Sequence, residues 1–377
     1  MTEESVIEQM LHRCIRCGNC KYVFRGYEPS CPSGEHFKFE SYFASGRIWL
    51  AQAVAKGELE IDESFIEPIF ACTTCGNCEI QCLAPHRDHI VDIIEELRTI
   101  VVEKIGAHPK HLKFHDNVQI KHNPYGAEHH NRSLVEIHDL PSQADTVYFI
   151  GCTSNYRETQ IRDATISLLK KASVDFTIVD EYCCSSPLLR TGQHDLFNEL
   201  AQHNVNAILE AGAKRVVTSC AGCFRTLSRD YPKHGIGLSI PVLHSSTLLR
   251  QLLANRDLIP KKLSRILRVT YHDPCHLGRH MNDYDTPRKV LAYLPVELIE
   301  MNPTRENAWC CGAGGGAKSA YNDWSVETAE VRIGHAKQLN VDYLVTACPF
   351  CVRNLTDACD ETSPKVIDLA KLVDLLT

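Results

Sequence analysis

The chain has 377 residues, 44% hydrophobic and 23% charged, the composition of a globular protein and not of a disordered or collagen-like one. A net charge of −7 leaves no basic footprint for nucleic acid, and at about 150 residues per domain the length predicts two to three domains. Nineteen cysteines are many for this size. The start, Met1-Thr2-Glu3-Glu4-Ser5, is acidic and unlike a signal peptide, and apolar runs such as Ile48 to Ala55 fall short of the roughly 20 residues that span a bilayer. The expectation is a cytoplasmic protein whose thiols are metal ligands and not disulfides, with any membrane attachment made through a partner.

Eight cysteines lie between Cys14 and Cys82, and eleven between Cys152 and Cys359. Between the two zones, Ile90, Ile93, Ile94, Leu97, Ile100 and Val101 keep helical spacing and predict an amphipathic helix ending near Gly106. From His108 to about Ala144 the chain is polar and without period, a linker or surface-wrapping arm. Its histidines (His108, His111, His115, His122, His129, His130, His138) have no ligand spacing and read as solvated. Strands then alternate with helices: strand 146–150, helix 158–171, strand 176–179, helix 194–211, strand 215–218. That order predicts a parallel α/β sheet. Strands at 268–271, 296–299 and 343–346 repeat the layout, and the cysteines that follow them lie 123, 127 and 128 residues beyond those of the first half, which marks a duplicated domain.

Cys14, Cys17 and Cys20 stand at two-residue intervals and are followed by Cys31-Pro32; Cys72, Cys75 and Cys78 are followed by Cys82. Three thiolates on a turning backbone face three irons of a cubane, and in two-cluster ferredoxins the fourth comes from the other motif. One [4Fe–4S] is therefore expected on Cys14, Cys17, Cys20 and Cys82, and another on Cys72, Cys75, Cys78 and Cys31. The ten residues between Cys20 and Cys31, where three are usual, must fold back as an inserted loop, and Cys82 is separated from Pro85 by Leu83 and Ala84. Zinc is the competing reading of C-x2-C, but its ligands come in separated pairs and not triplets.

Each half of the second zone offers one cysteine, an adjacent pair and a C-x2-C: Cys152, Cys183, Cys184, Cys220 and Cys223, then Cys275, Cys310, Cys311, Cys348 and Cys351. All follow predicted strands, so each set should gather at the carboxyl edge of one sheet, where open α/β sheets bind ligands. Five thiolates exceed the four that zinc takes, and their softness favours iron–sulfur. Cys359 is left over and reads as an ordinary buried thiol. The run Gly312 to Ser319 narrowly misses two nucleotide-binding motifs and lacks the strand that should precede them; its glycines suit close backbone approach and N–H donation to a cluster. His194, His272, His276 and His280 are candidate proton donors to leaving thiolates, although structural roles suit them as well.

These residues resemble the heterodisulfide reductase superfamily. Its cysteine-rich CCG domain is matched by Gly151-Cys152-Thr153, Cys183-Cys184-Ser185, Cys220-Ala221-Gly222-Cys223, Asp273-Pro274-Cys275-His276, Cys310-Cys311-Gly312 and Cys348-Pro349-Phe350-Cys351. The whole order is that of the D-type subunit, which fuses a C-type electron carrier and a B-type catalytic part in one polypeptide. The resemblance implies an N-terminal, mostly α-helical ferredoxin-like domain at 1–107, a linker at 108–144, and two parallel-sheet α/β CCG domains at 145–262 and 263–377. It also implies that each five-cysteine set holds a non-cubane [4Fe–4S] cluster and that the two clusters flank a mixed disulfide of coenzymes M and B, with the cubanes delivering electrons singly. All ten cysteines are present; Ser185 replaces the family's Gly and touches only the local backbone geometry. A disulfide needs two electrons, and two adjacent clusters can supply one each without a free thiyl radical.

The same resemblance extends to iron–sulfur subunits of glycolate, lactate and glycerol-3-phosphate oxidising systems and of electron-bifurcating assemblies. A pure electron relay with catalysis in a partner is therefore the alternative function. The electron donor implied in either case is a flavoprotein or a membrane cytochrome.

Overall fold

A computed structural model describes residues 10–23, 26–129 and 140–377. The acidic start, His130 and His138 lie outside the described residues. The N-terminal region is helical. Helix Ala44–Ala55 packs against helix Ile90–Ile105, which buries Ile90, Ile93, Ile94, Leu97 and Val101 in a core shared with Ile48, Ile69 and Phe70. The long helix stops at Gly106 (φ 86°), where the sequence predicts its end.

The segment expected to be a linker or arm carries a helix, Pro109–Lys121, started by Pro at its first turn and by the His108 ring, which accepts from the Lys110 N–H. Its apolar face is sparse, only Phe114 and Val118 with His111, which is why no period showed. The reading of these histidines as solvated is corrected. His111 is fully buried and bonds the Gly316 carbonyl at 3.0 Å, His115 and His129 pair with Asp195 and Asp180, and His122 stacks on Tyr182.

Two four-stranded, all-parallel sheets follow. The first has the order β2-β1-β3-β4, from β1 (Thr146–Tyr148), β2 (Phe176–Thr177), β3 (Arg215–Thr218) and β4 (Val242–His244). The second repeats it as β6-β5-β7-β8, from β5 (Leu267–His272), β6 (Val296–Leu298), β7 (Tyr343–Thr346) and β8 (Lys365–Asp368). Val147 stands beside Val216 in one and Thr270 beside Leu344 in the other. Sequence patterning finds three strands per half; β4 and β8 escape it because each runs directly into a helix, capped by His244 and Asp368. The predicted helix at 194–211 begins later, at Phe197, and leaves His194 exposed.

The halves share one core. Helix Thr159–Lys171 packs on the C-terminal helix Leu369–Leu376, and helix Ser245–Asn255 packs on Asp285–Ala292. Leu168 and Leu252 thereby join Leu291 and Leu372, each worth about 1.5–3 kcal/mol when fully buried. In each sheet the strand order reverses at the first strand, between β1 and β3 and between β5 and β7, and the crevice at such a reversal opens at the carboxyl ends.

Candidate functional site

The ten C-terminal cysteines sit at those carboxyl ends. Cys152 opens a helix after β1, Cys220 caps one after β3, and Cys348 caps one after β7. Within the first set, Cys183 lies beside Cys152 and Cys184, Cys184 beside Cys223, and Cys223 beside Cys220. Within the second, Cys310 lies beside Cys275 and Cys311, Cys311 beside Cys351, and Cys351 beside Cys348. The sets also meet, since Cys220 lies beside Cys348. Both line a single cavity of about 360 Å³, walled further by Phe114, Tyr125, His276, Phe350 and Arg353.

So many buried thiols cannot ionise independently. The neighbouring Cys223 and Cys348 thiols pull Cys220 down to about 5, while the nearby Cys220 pushes Cys348 up to about 12. A cation binding the whole set removes that conflict, and five sulfur donors in one place fit an iron–sulfur cluster better than tetrahedral zinc. The backbone is shaped for sulfur as well. A Cβ at Gly151 (φ 78°) would come within 2.9 Å of the Cys223 sulfur, and the Gly312 N–H donates to Cys310 Sγ at 3.3 Å. Ser185 holds the left-handed turn its family glycine would (φ 71°), at a strain cost of roughly 1–2 kcal/mol, so the adjacent ligands keep their placement.

In the N-terminal region, Cys82 lies close enough to Cys14, Cys17 and Cys20 for their charges to raise its pKa, after burial as the main cause. Cys31 is pushed up to about 12, by burial first and then by Cys72 and Cys75. The structure thus brings together the crossed groupings read from the sequence. In the inserted loop before Cys31, Tyr22 and Pro29 form an antiparallel bridge, and the Asn77 amide donates to the Ser30 carbonyl. Backbone N–H groups of Gly34, Thr74 and Ala84 donate to Cys31, Cys72 and Cys82, each at 3.4 Å.

A further thiol contact joins the two regions: Cys75 lies beside Cys310, which together with the nearby Arg279 pulls it down to about 5. Sulfur therefore follows sulfur from Cys75 through the second set to the first. At the other end Cys17 is exposed. Cys359 is half-buried, bonded to the Leu355 carbonyl, and does not line the cavity.

The glycine-rich run lines the cavity on one side and abuts the N-terminal region on the other. A Cβ at Gly315 would come within 2.4 Å of the Cys72 carbonyl, and one at Gly316 within 2.5 Å of the His111 ring, so these glycines press the loop onto the N-terminal region. Sequence reasoning misses the residue that locks this joint. Arg98 is fully buried and donates to the carbonyls of Ile69, Phe70, Cys72, Arg190 and Gly315. Its only signal is a cation beside Leu97 on an apolar stripe. Among the histidines, His276 lines the cavity and His272 has a ring nitrogen within 4.8 Å of the Cys311 and Cys351 sulfurs, whereas His194 is remote and contacts Thr99.

Comparison with known proteins follows the same layout. A cysteine-rich domain family (CCG) matches residues 146–228 and 269–356, and a 4Fe-4S dicluster domain family matches 10–84. The D subunit of dihydromethanophenazine:CoB–CoM heterodisulfide reductase from Methanosarcina barkeri is 37% identical over 96% of this chain and 93% of its own length. The B subunit of fumarate reductase (CoM/CoB) from Methanothermobacter marburgensis is 31% identical over 97% of this chain and 72% of its own. A Helicobacter pylori protein of solved structure shares the fold, with a TM-score of 0.57 at 9% identity over 89% of this chain and 68% of that one. Two cysteine-rich halves meet over one cavity, fed by a dicluster domain and aligned end to end with such a relative. The protein therefore belongs to the family of heterodisulfide reductase D subunits and is an iron–sulfur oxidoreductase.

Proposed function

We propose that this protein carries electrons from a partner to a disulfide and reduces it in the cavity between its two cysteine-rich halves. In this reading Cys14, Cys17, Cys20 and Cys82 hold one [4Fe–4S] cubane and Cys72, Cys75, Cys78 and Cys31 a second. Each five-cysteine set holds a further cluster, a non-cubane [4Fe–4S]. Such clusters supply one electron each, so two of them facing one substrate match the electron pair an S–S bond needs. The protein's own residues supply the rest. The Cys220–Cys348 contact brings the two sets to one place, Phe114 and Phe350 give the cavity apolar wall, and Thr153 fixes the Tyr125 hydroxyl at 2.9 Å.

The observation that carries this reading is that both sets open on the same cavity; a relay would need only one exit. The disulfide named for the relatives, that of coenzymes M and B, is the first substrate to test. The relatives are subunits, and the exposed Cys17 suits electron delivery by a flavoprotein or a membrane cytochrome. Among the described residues no helix is long and apolar enough to cross a membrane, so membrane contact would come through that partner.

The test is anaerobic purification followed by addition of each coenzyme thiol to the oxidised protein. The expected result is roughly 16 iron per polypeptide, four per cluster, with a thiol-dependent change in one paramagnetic signal. A full iron complement that responds to no thiol would instead make the protein a relay to catalysis elsewhere.

A further inference from the structure

Most buried arginines in this fold are paired with carboxylates. Arg190 and Arg225 share Glu95 and Asp230, and Arg288 is held by Asp273 and Glu300. Arg332 stands apart, on the Pro303 carbonyl and the His272 ring. Three others break the pattern at one place. Arg47 donates to the carbonyls of Tyr42, Pro68 and Ala71 and to Ser33 Oγ. Arg98 donates to Ile69, Phe70 and Cys72. Arg279 donates to the carbonyls of Cys75, Glu306 and Ala308, and its buried Nη2 has no partner. Arg47 and Arg98 are 1% and 0% exposed, and Arg279 is half-buried. Among the described residues none of the three forms an ion pair, and all converge on the segment 68–75, which leads into Cys72 and Cys75.

Carbonyl oxygens satisfy N–H donors but carry no net charge, and buried guanidinium groups without an anion are strongly disfavoured. The fold has therefore left room for an anion at Cys31, Cys72, Cys75 and Cys78. Around Cys14–Cys20 the cations are otherwise engaged, Lys21 with Glu40 and Arg16 exposed over the Trp49 ring.

We propose that Arg47, Arg98 and Arg279 are the built-in countercharge of the inner cubane and hold its reduction potential above that of the same four cysteines without them. This rests on the ligand set assigned above. Reduction adds one negative charge to the cluster, and fixed positive charges in a low-dielectric setting favour the reduced form. The three are positioning residues for electron flow inward, since they make the inner centre the better acceptor.

The test is an anaerobic redox titration of the full-length protein, followed by electron paramagnetic resonance, on Arg47→Gln and Arg279→Gln with the matching Lys variants. Each Gln variant is expected to lower the one-electron reduction equilibrium constant of a single cubane at least tenfold, a shift of about 59 mV to the negative side, while the other cubane stays put. The Lys variants, which keep the charge, stay within about threefold of the parent. Should Arg47→Gln fail to fold, Arg279→Gln, whose guanidinium is half-buried, carries the test. Two intact cubane signals with less than a twofold change overturn the countercharge. A parent protein that lacks a second cubane signal removes the ligand assignment, and the proposal with it.

Discussion

Replacing Glu95 by Gln tests whether the N-terminal region is fastened to the first cysteine-rich half by charge. Glu95 lies on helix Ile90–Ile105 and receives both oxygens' bonds from Arg190, at 2.9 and 2.7 Å, plus one from Arg225 at 3.4 Å. Arg190 also grips the buried Asp230, so two cations are balanced by two carboxylates inside the joint. Removing one carboxylate leaves a net buried positive charge, and breaking such a pair from one side costs about 3–5 kcal/mol. At about 2–4 °C per kcal/mol for a unit of 150–250 residues, the thermal midpoint of the anaerobic protein falls by roughly 6–20 °C. Amide exchange in residues 90–105 should rise with it.

The pH dependence fixes the sign. Burial opposes the charge on Glu95, but Arg190 and Arg225 outweigh it and hold the carboxyl below its ordinary value of 4.5. A depressed folded pKa gives stability that is complete above the unfolded value and lost as pH falls through the folded one. The gap between parent and variant should therefore be constant at neutral pH and close only below 4.5. A midpoint within about 2 °C of the parent at pH 7, or a gap that closes near neutrality, would refute the reasoning.

Other outcomes follow from particular residues. With crossed fourth ligands, Cys82→Ala should remove about four iron and abolish the cubane signal that Cys20→Ala also abolishes, while Cys31→Ala abolishes the one lost with Cys78→Ala; the opposite pairing would reverse the grouping. Gly316→Ala places a methyl 2.5 Å from the His111 ring and 2.7 Å from Thr191 at φ 79°, and should cost about 1–3 kcal/mol, read as a lower thermal midpoint. Cys359→Ser should leave iron content and every paramagnetic signal unchanged, since the thiol stands apart from the cavity.

Much of this arrangement is legible in the residues themselves. Strands β1–β3 and β5–β7 and the helix ended by Gly106 follow from hydrophobic periodicity, and the thiol sets from cysteines placed just after strands. What stays hidden has a physical reason in each case. β4 and β8 run straight into the helices that follow them, so no turn residues mark them off. Helix Pro109–Lys121 is held by a buried histidine and by contacts with the first half, not by an apolar stripe, so tertiary packing decides it. The glycine run suggests a ligand because close backbone approach looks the same in sequence whether its neighbour is sulfide or another loop; here the nearest neighbours are Cys72, Thr73 and His111. Arg47, Arg98 and Arg279 are invisible because nearly all their partners are carbonyl oxygens, which every residue possesses.

Arg98 has a mechanical consequence. One guanidinium tied to carbonyls from the N-terminal region, from Arg190 and from Gly315 clamps three parts of the protein into a single block. In the proposed relay, charge would then cross the molecule by tunnelling over fixed separations and not by a swinging arm. Thickening the solvent with glycerol should slow docking of an external donor and leave the internal transfer rate untouched.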